Sequence, residues 1–108
     1  MKNDRFHSLL GISKKAGKLV SGNYSVEKYM KLKKLYLVIL ATDVSKKNTF
    51  KKFVRMCEEN KIPYLVHSTK ESLAKAIGRE IVGVIGITDE GLANELLDAT
   101  KEENYGGE

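Results

Sequence analysis

Apolar residues recur at intervals of three and four along five stretches of the chain, which is the spacing of helices with one buried face. The first predicted helix begins near Phe6 and ends at Gly17, and the second begins at Gly22 and Asn23. The other three helices are predicted over residues 45–60, 69–77 and 90–100. Ser45 is expected to cap the third helix, because its side-chain oxygen can accept from a free backbone N–H.

Four further stretches predict strands. Residues 35–42 (LYLVILAT) and 81–89 (IVGVIGITD) are apolar almost throughout, which is typical of strands buried on both faces. Residues 18–21 (KLVS) and 62–68 (IPYLVHS) are shorter extended segments. Helices alternating with buried strands predict an α/β fold, a three-layer α/β/α sandwich around a small, mixed, mostly parallel four-stranded sheet. Binding sites of such folds gather at loops and helix starts along one sheet edge, where we expect the second helix to begin.

Length and composition add limits to this picture. With 108 residues and a hydrophobic content of 42%, the chain is expected to form one globular domain over residues 1–100. Residues 101–108 (KEENYGGE) are expected to be an acidic, Gly-rich flexible tail. No apolar run approaches the ~18 residues of a membrane span, and the N-terminus lacks the apolar region of a signal peptide. We therefore expect a cytoplasmic protein without membrane association.

Charge is distributed unevenly along the chain. Residues 1–55 contain 14 lysines and arginines against 3 acidic residues, a balance of +11. Residues 56–108 contain 5 against 11, a balance of −6. Such asymmetry favours one surface that binds a polyanion, although surface lysines also occur simply for solubility.

Neither glycine-containing stretch matches a nucleotide-binding motif. A Walker motif would need glycine at position 12 and serine or threonine at position 19, which here are Ile12 and Leu19. Gly83, Gly86 and Gly91 lack the spacing of a dinucleotide-binding loop. These glycines are expected to allow close packing within a buried strand instead.

The residues that most often carry chemistry are scattered. Cys57, the one cysteine, has the spacing of a buried helix position and is expected to be a structural thiol. His7 and His67 stand alone and are expected on the surface or in loops. Asp43 and Asp89 follow buried strands and precede helices, so helix-start hydrogen bonding is the simplest role for them. We therefore expect no catalytic residue, no cofactor and no metal site.

A candidate anion site lies where the second helix begins. A helix start offers unpaired N–H donors, and Gly22 lets another backbone approach closely. Lys28 lies about 1.5 turns into the helix, and Lys14, Lys15 and Lys18 precede it in sequence. A cation near a helix start is unfavourable unless a bound anion supplies negative charge. These residues therefore predict a site for phosphate groups, with a solvated lysine on a frayed helix as the alternative.

Asn23, Tyr24 and Ser25 add polar groups that can reach base edges or sugar hydroxyls. Aromatic residues make up only 7% of the chain, and no aromatic sheet motif for stacking bases is present. Structured RNA, contacted through grooves, phosphates and exposed bases, therefore fits these residues better than a threaded single strand.

Four segments in order, LLGISKKAGKLVSGNYSVEKYM, LVILATDVSKK, CEENKIPYLVHSTKESLAKAIGRE and VGVIGITDEGLA, resemble the ribosomal protein L7Ae/L30e family, and within it the small bacterial YlxQ-type members. The similarity extends from about residue 6 to residue 97. It implies an α/β/α sandwich that binds kink-turn or related internal-loop RNA without catalysis.

The resemblance also implies roles for individual residues. In the family, a Gly-x-Asn-Glu-x-x-Lys segment enters the RNA groove at tandem G·A pairs. Gly22 and Lys28 match this segment, whereas Tyr24 and Ser25 stand where many members have Asn and Glu. The carboxylate that would accept from a guanine edge is therefore missing, and a serine hydroxyl makes a weaker contact.

A second family surface is the loop after the fourth helix, whose apolar residues cover an extruded base. By position, Ile81 and Val82 correspond to these residues, although both are also expected at the beginning of a buried strand. Lys70 matches a lysine that contacts phosphate in relatives. Together with the lysines noted above, this gives Lys14, Lys18, Lys28 and Lys70 as the residues that we expect to contact phosphates.

We therefore expect a non-enzymatic, cytoplasmic protein that recognises kink-turn or similar RNA and is associated with the ribosome, with ribosomal or other protein partners. A protein–protein adaptor on the same fold, with weak and non-specific RNA affinity, is the main alternative. A nucleotide-dependent enzyme ranks third. The particular RNA, the affinity and the oligomeric state are left open.

Overall fold

The computed structural model describes residues 5–79 and 81–106, with side chains described as far as residue 103. Helices and strands alternate along these residues much as the apolar periodicity predicts. The helices are α1 (Arg5–Lys15), α2 (Asn23–Lys31), α3 (Lys51–Asn60), α4 (Lys70–Ile77) and α5 (Glu90–Gly106), and a π-helical turn, Lys46–Phe50, leads directly into α3. The strands are β1 (Leu19–Ser21), β2 (Leu37–Leu40), β3 (Tyr64–Val66) and β4 (Val84–Ile87).

The four strands form one mixed sheet in the order β1-β4-β2-β3. The predicted mixed four-stranded sheet is therefore confirmed, but the prediction that it is mostly parallel is wrong. β2 and β3 are parallel, whereas β4 runs antiparallel to both β1 and β2. A continuous apolar run shows only that both faces of a strand are covered. β4 is covered by helices on both faces although its neighbours run the other way.

Alternate residues of the central strands face two separate cores, which confirms the three-layer arrangement. Leu37 and Ile39 belong to a cluster that includes Phe6 of α1, together with buried residues of α4 and α5. Val38 and Leu40 belong to a second cluster with buried residues of α2 and α3. The layer of α1, α4 and α5 therefore covers one face of the sheet, and the layer of α2 and α3 covers the other.

Side-chain oxygens hold the starts of three helical segments, as predicted. Ser45 Oγ accepts from the N–H of Asn48 at 3.2 Å, although the segment that follows begins as a π-helical turn. Asp89 Oδ2 accepts from the N–H of Leu92 at the start of α5, at 2.9 Å. Asp43 Oδ1 accepts from the N–H of Lys70 at 2.9 Å, and so serves α4 rather than the helical segment that directly follows it.

The glycines around β4 sit where a side chain would collide with neighbours, as the close-packing prediction requires. A Cβ on Gly86 would lie 2.9 Å from Cδ2 of Leu35, and a Cβ on Gly83 would lie 2.7 Å from Cγ1 of Val44. Cys57 is fully buried, and burial raises the pKa of its thiol to about 12. The predicted structural thiol is confirmed.

The two histidines meet at the end of β3, so the prediction that each stands alone is wrong. His7 Nε2 and His67 Nδ1 lie 2.9 Å and 2.7 Å from the same hydroxyl oxygen of Ser68. His67 Nε2 lies 2.8 Å from Oε1 of Glu103, and its ring contacts Phe6 with centroids 4.0 Å apart. These contacts join residues far apart in sequence, which no local pattern indicates.

The domain boundary predicted near residue 101 falls inside α5, because this helix continues to Gly106. Its last described side chains contact the rest of the domain. Arg5 Nη1 lies 3.0 Å from Oε1 of Glu102, and His67 contacts Glu103. The segment expected to be a tail is thus helical through residue 106, and residues 107 and 108 lie outside the described residues.

Candidate nucleic-acid interface

One edge of the sheet collects the loops and helix starts that could bind a ligand. Strand pairing aligns Ser21 with Ile85 and aligns Leu40 with both Val84 and Val66. The ends of β1, β2 and β3 therefore lie together with the beginning of β4. We call this the site edge, formed by residues 21–23, 41–45, 67–69, 78–79 and 81–83. α2, the π-helical turn and α4 all begin there, as expected for the second helix.

The backbone at the start of α2 is held open by Gly22. Its φ of 94° lies in the left-handed region, which favours glycine, while a Cβ there would meet no atom within 4 Å. The N–H of Gly22 donates to the carbonyl of Val84 at 2.9 Å, and its carbonyl accepts the N–H of Val26 at 3.0 Å. The requirement for glycine therefore comes from the backbone conformation rather than from lack of space.

Within the described chain, the start of α2 has no side-chain cap and no acidic residue in its first turn. By contrast, α4 and α5 each have an oxygen acceptor at their start. The N–H groups of Asn23, Tyr24 and Ser25 precede the first backbone hydrogen bond of α2, and so point out of the helix end. This helix start is therefore suited to accept an anion.

The first turns of α2 are open to solvent. Asn23 and Lys28 are exposed, Ser25 is half-buried, and Tyr24 is 79% exposed. On its other side the helix is anchored by Val26, which is fully buried. The predicted site residues, Gly22 to Ser25 and Lys28, are thus accessible and are not covered by other parts of the described domain.

Two more cations and one apolar residue lie at the site edge together with this helix start. Arg79 Nη1 donates to Ser21 Oγ at 2.9 Å, directly before Gly22. The aliphatic stem of Lys70 packs beside Gly83, with Cδ 3.6 Å from the position of a Cβ there. Ile81 is 60% exposed in the same loop. The structure therefore brings Lys70 and Ile81, both predicted from the sequence, to the same edge as α2.

Arg79 was missed by sequence reasoning. It lies in the loop between Gly78 and the fourth strand, directly before Glu80, and no cluster of basic residues marks it. Its position depends on the pairing of β1 with β4, which brings the loop before β4 next to the end of β1. Only the sheet topology would have indicated that Arg79 lies at the site.

Three of the predicted site residues are not at this surface. Lys14 and Lys18 lie at the opposite edge of the sheet, because the N–H of Lys18 donates to Ser13 and its carbonyl accepts from Thr88. The four residue steps from Lys18 to Gly22 span about 13 Å of extended chain. Val82 is only 4% exposed and belongs to the core. The prediction that Val82 covers a base therefore conflicts with its burial.

A groove runs along the exposed side of α2. It has a volume of about 380 Å³ and is lined by Tyr24, Glu27, Lys28, Lys31 and Leu32. Oε1 of Glu27 lies 2.9 Å from Nζ of Lys52, which belongs to α3. The hydrogen bond from Lys52 holds the pKa of Glu27 below its usual value, so this carboxylate remains charged and paired.

Metal-binding sites and membrane-spanning helices are two further features to compare with the part of the chain that the structure describes. No group of three or more histidine, cysteine, aspartate and glutamate side chains there is arranged to hold a metal ion. None of the helices in that part of the chain combines the length and apolar character needed to cross a membrane.

Comparison with known proteins gives consistent matches. The model of the "Ribosomal protein L7Ae/L30e/S12e/Gadd45 family" matches residues 4–97. "RNA-binding protein YlxQ" of Bacillus subtilis (strain 168) is 36% identical over 97 residues, which cover 90% of this chain and 96% of that protein. Among solved structures, a Bacillus halodurans protein described as having unknown function has a TM-score of 0.85 at 32% identity, covering 89% of this chain and 96% of the other. The Giardia lamblia 15.5kD RNA binding protein has a TM-score of 0.77 at 19% identity, covering 94% and 90%, which supports the fold alone.

Proposed function

The chain belongs to the ribosomal protein L7Ae/L30e/S12e/Gadd45 family, and from this premise we propose that it binds structured RNA, without catalysing a reaction, at the start of α2. The observation that carries the proposal is the exposed, uncapped start of α2 beside Lys28 and Arg79. The dipole of the helix and these cations attract the same anion. The B. subtilis relative is named as an RNA-binding protein, which supports the proposal.

The proposed partner is a kink-turn or a similar internal loop, and each residue has a distinct part. Lys28, Lys70 and Arg79 contact phosphates on either side of the bend, which fixes the position of the RNA. The segment from Gly22 to Ser25 enters the groove, and Ile81 covers an extruded base. Val82 supports Ile81 from within the core.

Ser25 limits the hydrogen bonds that this protein can make to base edges. A hydroxyl can donate one hydrogen bond and accept others, but it lacks the paired oxygens of a carboxylate. Tyr24, next to it, offers an exposed ring for stacking. Affinity is therefore expected to depend more on phosphate contacts and stacking than on hydrogen bonds to base edges.

We also propose that the protein is cytoplasmic and associated with the ribosome, since the family takes its name from ribosomal proteins. Sedimentation of a cell extract tests this step. The protein is expected in the ribosomal fractions at low salt and is expected to be released as salt rises, because phosphate contacts weaken with ionic strength. A protein that stays at the top of the gradient at every salt concentration would contradict ribosome association while leaving RNA binding intact.

The central test is a titration of the full chain at about 0.15 M salt. A fluorescent kink-turn RNA is compared with the same strands in which Watson–Crick pairs replace the internal loop. Tighter binding of the kinked RNA is expected. Equal and weak binding of both RNAs would contradict the proposal and favour the protein–protein adaptor.

A further inference from the structure

In the structure, the uneven charge along the sequence appears as a difference in net charge between the two helical layers. α2, the π-helical turn and α3 contain 7 lysines and arginines against 3 glutamates, whereas α1, α4 and α5 contain 6 against 6 acidic residues. The cations of the first layer are Lys28, Lys31, Lys46, Lys47, Lys51, Lys52 and Arg55. We call this layer the basic layer. Its excess of positive charge extends well beyond the start of α2.

The acidic residues of the basic layer leave most of these cations unopposed. Glu27 is paired with Lys52 at 2.9 Å and with Lys31 at 3.7 Å. Glu58 and Glu59 lie at the end of α3 that is farthest from the site edge. The sequence between Asp43 and Glu58 contains no acidic residue, and Asp43 Oδ1 accepts from the backbone N–H of Lys70 in α4. The half of the basic layer next to the site edge is therefore strongly positive.

Three of these cations form a regular row. Lys47, Lys51 and Arg55 are spaced by four residues along the π-helical turn and α3, and all three are exposed. In α3, the four residues from Lys51 to Arg55 advance about 6 Å, which is close to the separation of successive phosphates along an RNA strand. The helical segment begins at the site edge, so the row leads away from the start of α2 across the outer surface of the domain.

We propose that the row of Lys47, Lys51 and Arg55 is a second binding surface, which holds the phosphate backbone of the double-helical stem next to the RNA loop bound at α2. The inference rests on the proposed function, because it needs the loop to be placed at the site edge. It adds a partner of stated chemistry, the sugar-phosphate backbone of a stem, whose recognition needs no base sequence.

The composition of this surface favours a nucleic-acid backbone over a protein. Protein interfaces have an apolar, well-packed centre. The exposed large hydrophobic residues of the basic layer are Tyr24 and Leu32, both on or directly after α2, and no large hydrophobic residue of the described chain is exposed along the row. A surface of spaced cations without an apolar centre is typical of phosphate binding.

The test compares two variants with equal loss of charge. The row variant carries Lys47→Gln, Lys51→Gln and Arg55→Gln, while Lys52 is kept because it pairs with Glu27. The control variant carries Lys14→Gln, Lys15→Gln and Lys18→Gln at the opposite edge of the sheet. Thermal unfolding of both variants verifies the fold before any RNA is added.

The probes are kink-turn RNAs in which the stem on each side of the loop is lengthened in turn. For the wild type, one lengthened stem is expected to raise the affinity and steepen its salt dependence. For the row variant, the gain is expected to be lost, with affinity lower by about tenfold or more and a salt slope smaller by about 2 to 3. The control variant is expected to follow the wild type.

Two results would overturn the inference. One is a row variant that keeps the full dependence on stem length, and the other is an equal loss in both variants, which would indicate a general effect of net charge. A failure of the proposed function would give a different result. In that case the wild type would show no preference for the internal loop over a plain duplex of the same length.

Discussion

The ammonium nitrogen of Lys52 lies 2.9 Å from Oε1 of Glu27, and this ion pair joins α3 to α2. The other carboxylate oxygen of Glu27 lies 3.7 Å from Nζ of Lys31, one turn further along α2. The hydrogen bond from Lys52 is the main reason why the pKa of Glu27 is lowered. The one carboxylate in α2 thus adds an ion pair between two helices that also share a hydrophobic cluster.

Glu27→Gln is expected to lower the stability of the fold in a pH-dependent way. Because the pKa of Glu27 is lower in the folded state, its contribution is present above the ordinary glutamate range of about 4 to 4.5 and is lost as pH falls through the folded value. The melting temperatures of wild type and variant should therefore differ at pH 7 and converge at strongly acidic pH. Glu59→Gln on the same layer serves as the control, and a constant difference at every pH would argue against the ion pair.

Lys28→Ala is expected to weaken the binding of kink-turn RNA and to reduce the magnitude of the salt slope by about 1, because one phosphate contact is removed. Affinity is measured by titration at several salt concentrations. Lys14→Ala removes the same charge at the opposite edge of the sheet and should leave the slope close to that of the wild type. An unchanged affinity and slope for the Lys28 variant would exclude this residue from the site.

Tyr24→Ala is expected to lower RNA affinity by about 5- to 150-fold, since stacking of a base on an aromatic ring contributes about 1–3 kcal/mol. Tyr24→Phe keeps the ring and should retain most of the affinity. The side chain is 79% exposed, so both variants should unfold within about 0.5 kcal/mol of the wild type. RNA titration measures the expected change in affinity, and urea unfolding measures the expected change in stability. Wild-type affinity of the alanine variant would show that the exposed ring does not stack.

Arg79→Ala is expected to weaken RNA binding, and Ser21→Ala should do so to a smaller extent. The reason is that Ser21 Oγ accepts from Arg79 Nη1 and so orients the guanidinium beside the start of α2. Titration of each variant and of the double variant measures the coupling. If Ser21 acts through Arg79, the double variant should bind like Arg79→Ala alone; strictly additive losses would contradict this positioning role.

Local features of the sequence were enough to locate the elements of this fold. The apolar runs of residues 35–42 and 81–89 contain the two central strands, because burial on both faces leaves no polar alternation. Strand direction is not encoded in such a run. The antiparallel placement of β4 between β1 and β2 depends on the whole topology, and the sequence pattern suggested a mostly parallel sheet instead.

The candidate site was predictable where its residues are contiguous. The segment from Gly22 to Lys28 is one helix start, and its chemistry can be read locally. Lys14 and Lys18 are near this segment in sequence but not in space, because β1 carries the chain across the sheet between them. Arg79 is distant in sequence, yet its guanidinium contacts Ser21. Sequence proximity therefore overestimates contacts across a strand and misses those made through strand pairing.

Gly86→Ala tests the packing that holds α2 and its following loop against the sheet. A Cβ at this position would lie 2.9 Å from Cδ2 of Leu35, so the leucine must move, at a cost of about 1–3 kcal/mol. Leu35→Ala alone removes a buried side chain and should cost about 2–5 kcal/mol. In the double variant the new methyl group occupies part of the space left by Leu35. Urea unfolding of all four proteins should therefore give a total loss smaller than the sum of the single losses, whereas strict additivity would show that the two positions do not contact each other.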